Sequence, residues 1–435
     1  MMANEALRRH RNARRWTQTQ VAERVCAQVQ AATGRDPELD ANWVSRLERG
    51  AITWPSGDYR AALCAVFQVV SEAELGLYPK GSAVPEERPT AEAPSDDVRS
   101  LAADTELSTR LARHAAETNV NALVLEQFDA DVERLARDFV SRPLTLLIPE
   151  IRMARGAVFR LLEGRQHPSQ TRHLYVVAGW LSGLAAHVSL DLGDRTDAAT
   201  HARTVVQCAE ISEHSQLRAW ARSFQSLVAY WAGDYRRAGD LAQAGHSEGR
   251  GPGTGTIKAR LLSLEARARA AEGDNRSALR VLALANEARV AGGPDELPGI
   301  FSFPEAKQWA YAGTTLLAVG GAEQTRHAIS ASKRAVELYH TGPEDDRSPG
   351  DLQAAHLDMA TAYLASGEVE RAGAKLSEVF TAEGFTASIT IRLRNLAALL
   401  GSEPYRGAQS AVDLRTHIYE VTVRPALASN PTEPR

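Results

Sequence analysis

Cysteine is scarce in this 435-residue chain, which has only Cys26, Cys64 and Cys208. Three thiols cannot all pair, they lack metal-ligand spacing, and each falls inside an apolar helical pattern. They read as reduced core thiols of a cytoplasmic protein, not as a disulfide framework. The twelve histidines are scattered, with no i, i+4 pair beside a glutamate and no Cys/His cluster. A metal site is therefore not expected, and no cofactor is called for. No Gly-x-Ser-x-Gly nucleophile turn occurs. Gly249 to Lys258 is glycine-rich, but it lacks a Gly-Lys-Ser/Thr ending and a preceding strand, so it reads as a loop in which Thr256 caps the next helix. With no catalytic constellation left, the expectation is a protein that is not an enzyme. No apolar run approaches bilayer-spanning length and no apolar segment follows the Arg-rich start, so neither secretion nor a membrane partner is expected.

What is present is a globular composition, 44% hydrophobic and 24% charged, long enough for two or more cooperative units. The net charge of −4 hides an asymmetry: residues 1 to 80 carry 11 Lys+Arg against 9 Asp+Glu, and the rest is acidic. Within the first segment Arg8, Arg9, Arg11, Arg14 and Arg15 crowd together, which suits contact with a polyanion.

Asn4 caps a first helix that runs to Arg15, and Thr17 caps a second. Gln18, at the first position of that helix, can donate to a phosphate beside the positive end of the helix dipole. Val25 and Val29 extend the second helix before the loop Gly34-Arg35-Asp36-Pro37, where Arg35 can reach a neighbouring phosphate or, as the plainer alternative, stand as a solvated charge, and Asp40 is the next cap. On Asn42 to Gly50, Trp43, Val44 and Leu47 form an apolar stripe, while Asn42, Ser45, Arg46 and Arg49 follow helical spacing on another face and Gly50 closes the helix. Asn suits adenine, Arg suits guanine, and the remainder suits phosphate. Tyr59 to Val69 and Glu72 to Leu77 read as closing helices with Ala61, Leu63, Val66, Phe67 and Leu75 turned inward.

Trp16-Thr17-Gln18, Val44-Ser45-Arg46-Leu47-Glu48-Arg49-Gly50 and Leu75-Gly76-Leu77 resemble the lambda-repressor-like (XRE, Cro/CI-type) helix-turn-helix domain over about residues 3 to 79. The resemblance implies that Thr17 and Gln18 meet the DNA backbone, that Asn42, Ser45 and Arg46 approach base edges with Arg49 alongside, and that Glu48 holds an arginine of the first helix. The stretch from Arg24 to Asp40 is longer than the family's usual turn.

Lys80 to Asp97 is rich in Pro, Ala and charge and offers no apolar face, so it reads as a flexible linker. Beyond it no strand alternation persists. A glycine turn recurs at Gly193, Gly233, Gly273, Gly320 and Gly367, at spacings of 40, 40, 47 and 47. Small residues stand seven before each glycine (Ala186, Ser226, Ala266, Gly313, Ala360). Alanine stands five after it (Ala198, Ala238, Ala278, Ala372), with Thr325 breaking that column. Small side chains at these places let paired helices approach closely, and the pattern resembles tetratricopeptide (TPR) repeats over about residues 170 to 380. Counting back from each glycine places Trp180, Trp220, Arg260 and Lys307 thirteen before it, His187 and Arg267 six before, and Tyr230 three before, on the face expected to be concave. Together they are read as a groove with aromatic walls and a cationic floor for a peptide carboxylate or an acidic small molecule, against the plainer alternative that the tryptophans are interhelix core and the charges surface pairs.

The expected architecture is all-α. A five-helix lambda-repressor-like domain (1–79) and a flexible linker (80–97) lead into a helical cap (98–169), TPR-like α-solenoid repeats (170–384), and C-terminal helices with a tail (385–435). This resembles large actinobacterial XRE regulators of development and secondary metabolism. The expected function is a cytoplasmic, nucleoid-associated transcriptional regulator, binding double-stranded DNA as a homodimer on an inverted repeat, with the array sensing a peptide or small-molecule effector. The alternative is a TPR adaptor that grips a protein partner such as a sigma factor or another regulator, with auxiliary DNA contact.

Overall fold

The computed structural model describes residues 3–79, 96–248, 255–382 and 384–423. The chain divides into two compact units, Met1–Ser108 and Thr109–Arg435. Most of the proline-rich stretch, 80–95, lies outside the described residues, as do loop residues 249–254 and the tail from 424. A helix, α5 (Asp96–Ala116), already begins inside the expected linker.

In the first unit the local signals act as the sequence dictates. α1 (Glu5–Ala13) starts where the Asn4 side chain accepts from Leu7 N, and α2 (Gln18–Thr33) starts at a capping box between Thr17 and Gln20. α3 (Ala41–Glu48) starts where Asp40 accepts from Trp43 N at 2.9 Å. α4 (Gly57–Phe67) and a 3-10 turn at Glu72–Leu75 close the unit. Leu7, Val21, Val25, Val44, Leu47, Leu63, Phe67 and Leu75 form the core. Two details differ from the sequence reading. Ala61 is exposed and its neighbour Ala62 is buried, because α4 starts two residues before Tyr59 and sets the helical phase. The fifth helix is a single 3-10 turn.

The second unit begins with α6 (Ala122–Ser141) and α7 (Leu144–Leu162). Five helical hairpins follow: α8 (Pro168–Asp191) with α9 (Arg195–Ser212), α10 (Ser215–Trp231) with α11 (Tyr235–Glu248), α12 (Ile257–Glu272) with α13 (Asn275–Ala291), α14 (Glu305–Val319) with α15 (Ala322–Thr341), and α16 (Pro349–Ala365) with α17 (Val369–Phe380). A last pair, α18 (Ala387–Leu400) and α19 (Gln409–Val423), completes the array. Among the described residues there is no strand, and the protein is an all-α solenoid preceded by the small helical unit.

Each hairpin turns on a glycine of the recurring column, and all five have φ between +76° and +94°. That left-handed conformation is cheap only without a Cβ. The small-residue columns are buried where the paired helices meet: Ala186, Ala198, Ala238, Ala266, Ala278, Ala360 and Ala372 are fully enclosed. In the second hairpin the two columns touch, as Ser226 donates to Ala238 O at 2.7 Å. Thr325, the exception, satisfies its hydroxyl on Gly321 O at 3.0 Å.

The helices on either side of the hairpins do more than cover the ends. α18 returns to pack on α8, and α6 crosses from α8 to the 3-10 turns at Gly299–Phe301 and Glu344–Asp346 that join later hairpins. The array therefore closes on itself and its inner side is filled. α8 meets the length and composition of a membrane-spanning helix, contrary to the sequence reading, but 78% of that window is buried in this core. Thr256 also departs from its expected role. It stands at the N-cap position of α12 but makes no side-chain cap hydrogen bond; its hydroxyl donates to Asp295 and accepts from Phe303 N at 3.1 Å, tying two connections together.

At Gly273 the cost of a side chain is conformational alone, whereas at Gly299, itself at φ +63°, a steric cost adds to it. Gly273→Ala meets no atom within 4 Å but must hold φ +94°, so it should lose about 1 kcal/mol. A Cβ at Gly299 would sit 2.1 Å from Ala136 O, which is backbone and cannot rotate away. Gly299→Ala should cost about 3 kcal/mol and expose α6 to hydrogen exchange. Denaturant unfolding of both variants checks the order.

Candidate functional site

The first unit is assembled around a buried carboxylate. Glu48, 2% exposed at the end of α3, accepts from Arg11 Nε at 2.6 Å and Arg11 Nη2 at 3.2 Å, and from Gln18 Nε2 at 2.8 Å. Its carbonyl accepts from Asn4 N at 2.8 Å. One residue thus joins α1, α2 and α3. Burial pushes the Glu48 carboxyl upward, but the hydrogen bonds from Arg11 and Gln18, with the charges of Arg11 and Arg8, outweigh it and leave the pKa below the usual value.

The clamp fixes which side of α3 meets solvent. Val44 and Leu47 point into the core, and Trp43 packs edge-on to Tyr59 at 5.5 Å between ring centres. Asn42, Arg46 and Arg49 are exposed and Ser45 half-buried, so the four polar residues share a free face. Arg49 Nε reaches back to Ser45 O at 3.4 Å, one turn away on that face. Arg9, Arg15 and Arg24 are also exposed, which adds cations on the surface of the same unit that suit a polyanion.

Thr17 caps α2 as the sequence indicates, its hydroxyl accepting from Gln20 N at 3.2 Å, and it remains exposed. Two other assignments gain a structural role. Gln18 is half-buried with one amide N–H committed to Glu48, so it braces α3. Of the five clustered arginines, Arg11 is held by Glu48, and Arg14 donates to Phe67 O at 2.6 Å beside the Trp16 and Phe67 rings. Those two build the fold, and burial of their partners rather than sequence spacing decides it. Arg24, which stacks 4.4 Å over Trp16, was not singled out from the sequence; its place on the exposed side of an extended α2 was the available signal.

The residues expected to line a groove in the array are brought together, but as core. Trp180 and Trp220 are 5% and 1% exposed, lie 5.8 Å apart at 67° rather than stacked, and are wedged by Phe301 at 4.7 and 5.0 Å. His187 lies against Phe139, Trp220 and Phe224, and burial, with Arg260 and Lys307 nearby, pulls its pKa well below normal, so the ring is neutral. Only a shallow cleft of about 20 Å³ remains beside the two tryptophans, and its charged lining residues are Asp295 and Glu296, not cations. Arg260 is buried over Trp220 and donates to Ile300 O at 3.2 Å, while Lys307 pairs with Asp351 at 3.0 Å. Arg267 sits between Tyr230 and Tyr311. Filling of the inner side by Phe301 and α6 is the physical reason the continuous groove does not form.

The lowered Glu48 pKa sets a pH dependence. A carboxylate whose native pKa is depressed stabilises fully above its unfolded value, near 4.5, and loses that contribution as pH falls through the native value. Glu48→Gln should therefore weaken hydrogen-exchange protection of α1 and α3 by about 3 kcal/mol near pH 7, and by much less near pH 3.

Residues 5–77 match the family model described as a helix-turn-helix domain. No curated protein and no solved structure matches the chain. The N-terminal unit is thus a helix-turn-helix domain, which supports a DNA-binding regulator.

Proposed function

We propose that the chain is an XRE-type transcriptional regulator that binds an inverted-repeat operator as a homodimer, with α3 in the major groove. Asn42, Ser45 and Arg46 read base edges, Arg49 and the N-terminus of α2 around Thr17 meet the backbone, and Gln18 acts by bracing Glu48. The observation that carries this reading is the exposed Asn42/Ser45/Arg46/Arg49 face on a helix locked from behind by Glu48. An Asn/Arg face on a rigid helix matches the bidentate demands of adenine and guanine, whereas a mobile one would lose that geometry.

The array is proposed as a TPR-like sensor and dimerisation unit. Supporting this are the paired helices, the left-handed turn glycines and the small-residue columns at the helix contacts. Of its three groove cations, Arg267 keeps two unpartnered donors that suit an acidic small molecule or a peptide carboxylate, whose binding would shift the population of array conformations and with it the spacing of two DNA-reading heads.

Genome-wide DNA retention of the full-length protein and of Arg46→Ala, compared at one salt concentration, tests the regulator reading. Discrete sites for the wild type that vanish with the variant are the expected result. The same diffuse background for both would overturn it and direct attention to a protein partner of the array.

A further inference from the structure

α12 and α14 bury three cations, Arg260, Arg267 and Lys307, and two are already satisfied. Arg260 donates to the Ile300 carbonyl, and Lys307 is paired with Asp351. The third, Arg267 on α12, is 5% exposed, and both its Nε and its Nη2 are buried without a hydrogen-bond partner. These two N–H groups lie along one edge of the planar guanidinium and form the parallel fork that matches the two oxygens of a carboxylate. The faces of the same group are covered, with its central carbon 4.1 Å from the Tyr230 ring centre and 4.4 Å from that of Tyr311. The aromatic rings fix the plane, and the donor edge is left buried without a partner.

A carboxylate within the protein does not fill that edge. Asp358, 2% exposed on α16 and close enough to Arg267 to feel its charge, is spent elsewhere. One of its oxygens accepts from Arg392 on α18 and the other from the Thr314 hydroxyl at 2.8 Å. Arg267, Arg392 and Asp358 together carry one excess positive charge. A buried cationic donor left in this state is costly, and a single negative charge would complete the cluster. Tyr230, Tyr311, Thr314 and Arg392 are only partly buried, so the cluster communicates with solvent.

We propose that Arg267 is an oxyanion site that grips the carboxylate of an effector through its Nε–Nη2 edge, between the rings of Tyr230 and Tyr311. The proposal rests on the effector-sensing reading above and names the chemistry of that effector as an organic acid or a peptide C-terminus. The site draws residues from α10, α12, α14, α16 and α18, so an occupant would tie together the inner helices of successive hairpins and stiffen the closed array.

Calorimetric titration of the full-length protein with sodium acetate, and separately with inorganic phosphate, at ionic strength held constant by chloride, tests this. Saturable acetate binding is expected, weaker by at least about tenfold in Arg267→Lys, which keeps the charge and loses the fork. Hydrogen exchange of the wild type with acetate needs no variant and should show slowed exchange at α12 and α14. Phosphate binding without acetate binding would overturn the carboxylate assignment. Absence of saturable binding by either anion, or equal acetate affinity in wild type and Arg267→Lys, would overturn the site. Arg46-dependent DNA retention is scored on the same preparations, so failure at Arg267 with retention intact leaves the regulator reading standing.

Discussion

A charge buried at the end of α3 is the constraint on which the DNA-binding unit depends. Glu48 is 2% exposed at the end of the helix that carries Val44 and Leu47 into a small core, and a bare carboxylate there would be prohibitive. Arg11 from α1 and Gln18 from α2 offset it by meeting its oxygens from two directions. Once they do so, the rotation of α3 about its own axis is fixed, because the clamp, Val44 and Leu47 all hold the same side. The opposite side is then free to carry Asn42, Ser45, Arg46 and Arg49. The polar solvent face of α3 is thus a consequence of how a buried charge is satisfied.

The array solves a different problem by repetition. Each hairpin must reverse direction in a few residues, and a glycine at φ near +80° does this five times over. Close approach of the two helices requires small residues at their contact, and the enclosed alanines supply it. With local geometry repeated, curvature accumulates until α18 meets α8. The inner side then becomes an interior, and the side chains that would have faced an open groove must pack or pair. Trp180, Trp220 and His187 pack, Lys307 and Asp358 pair, and Arg267 alone among the groove cations keeps an unfilled edge.

This division explains what could be read from the sequence. Caps at Asn4, Thr17 and Asp40, the reversal glycines and the small columns are local demands on a few neighbouring residues, and they were legible. The Glu48–Arg11 pair was reachable through the resemblance of its motif. The inward alanine of α4 was misplaced by one residue, since phase follows from where the helix starts. The fate of Trp180 and Trp220 depends on Phe301, more than eighty residues further along the chain than Trp220, and the position of α6 depends on the Ala136–Gly299 approach. Contacts of that range leave no periodic trace, so periodicity identified inner positions without telling whether they would be open or filled. Gln18 shows the same limit at shorter range: its place at a helix N-terminus suggested a phosphate, and only the fold reveals the carboxylate that takes its amide.

The central claim is that the solvent face of α3 reads bases. Selection of binding sites from random duplex DNA, run in parallel with the wild type and Asn42→Ala, addresses it directly. The account predicts that the wild type enriches a motif of two half-sites, and that the variant keeps the motif but loses preference at one adenine-bearing position in each half, because a bidentate amide contact discriminates by about 1–3 kcal/mol. Enrichment of the same motif with unchanged preference at every position would contradict it.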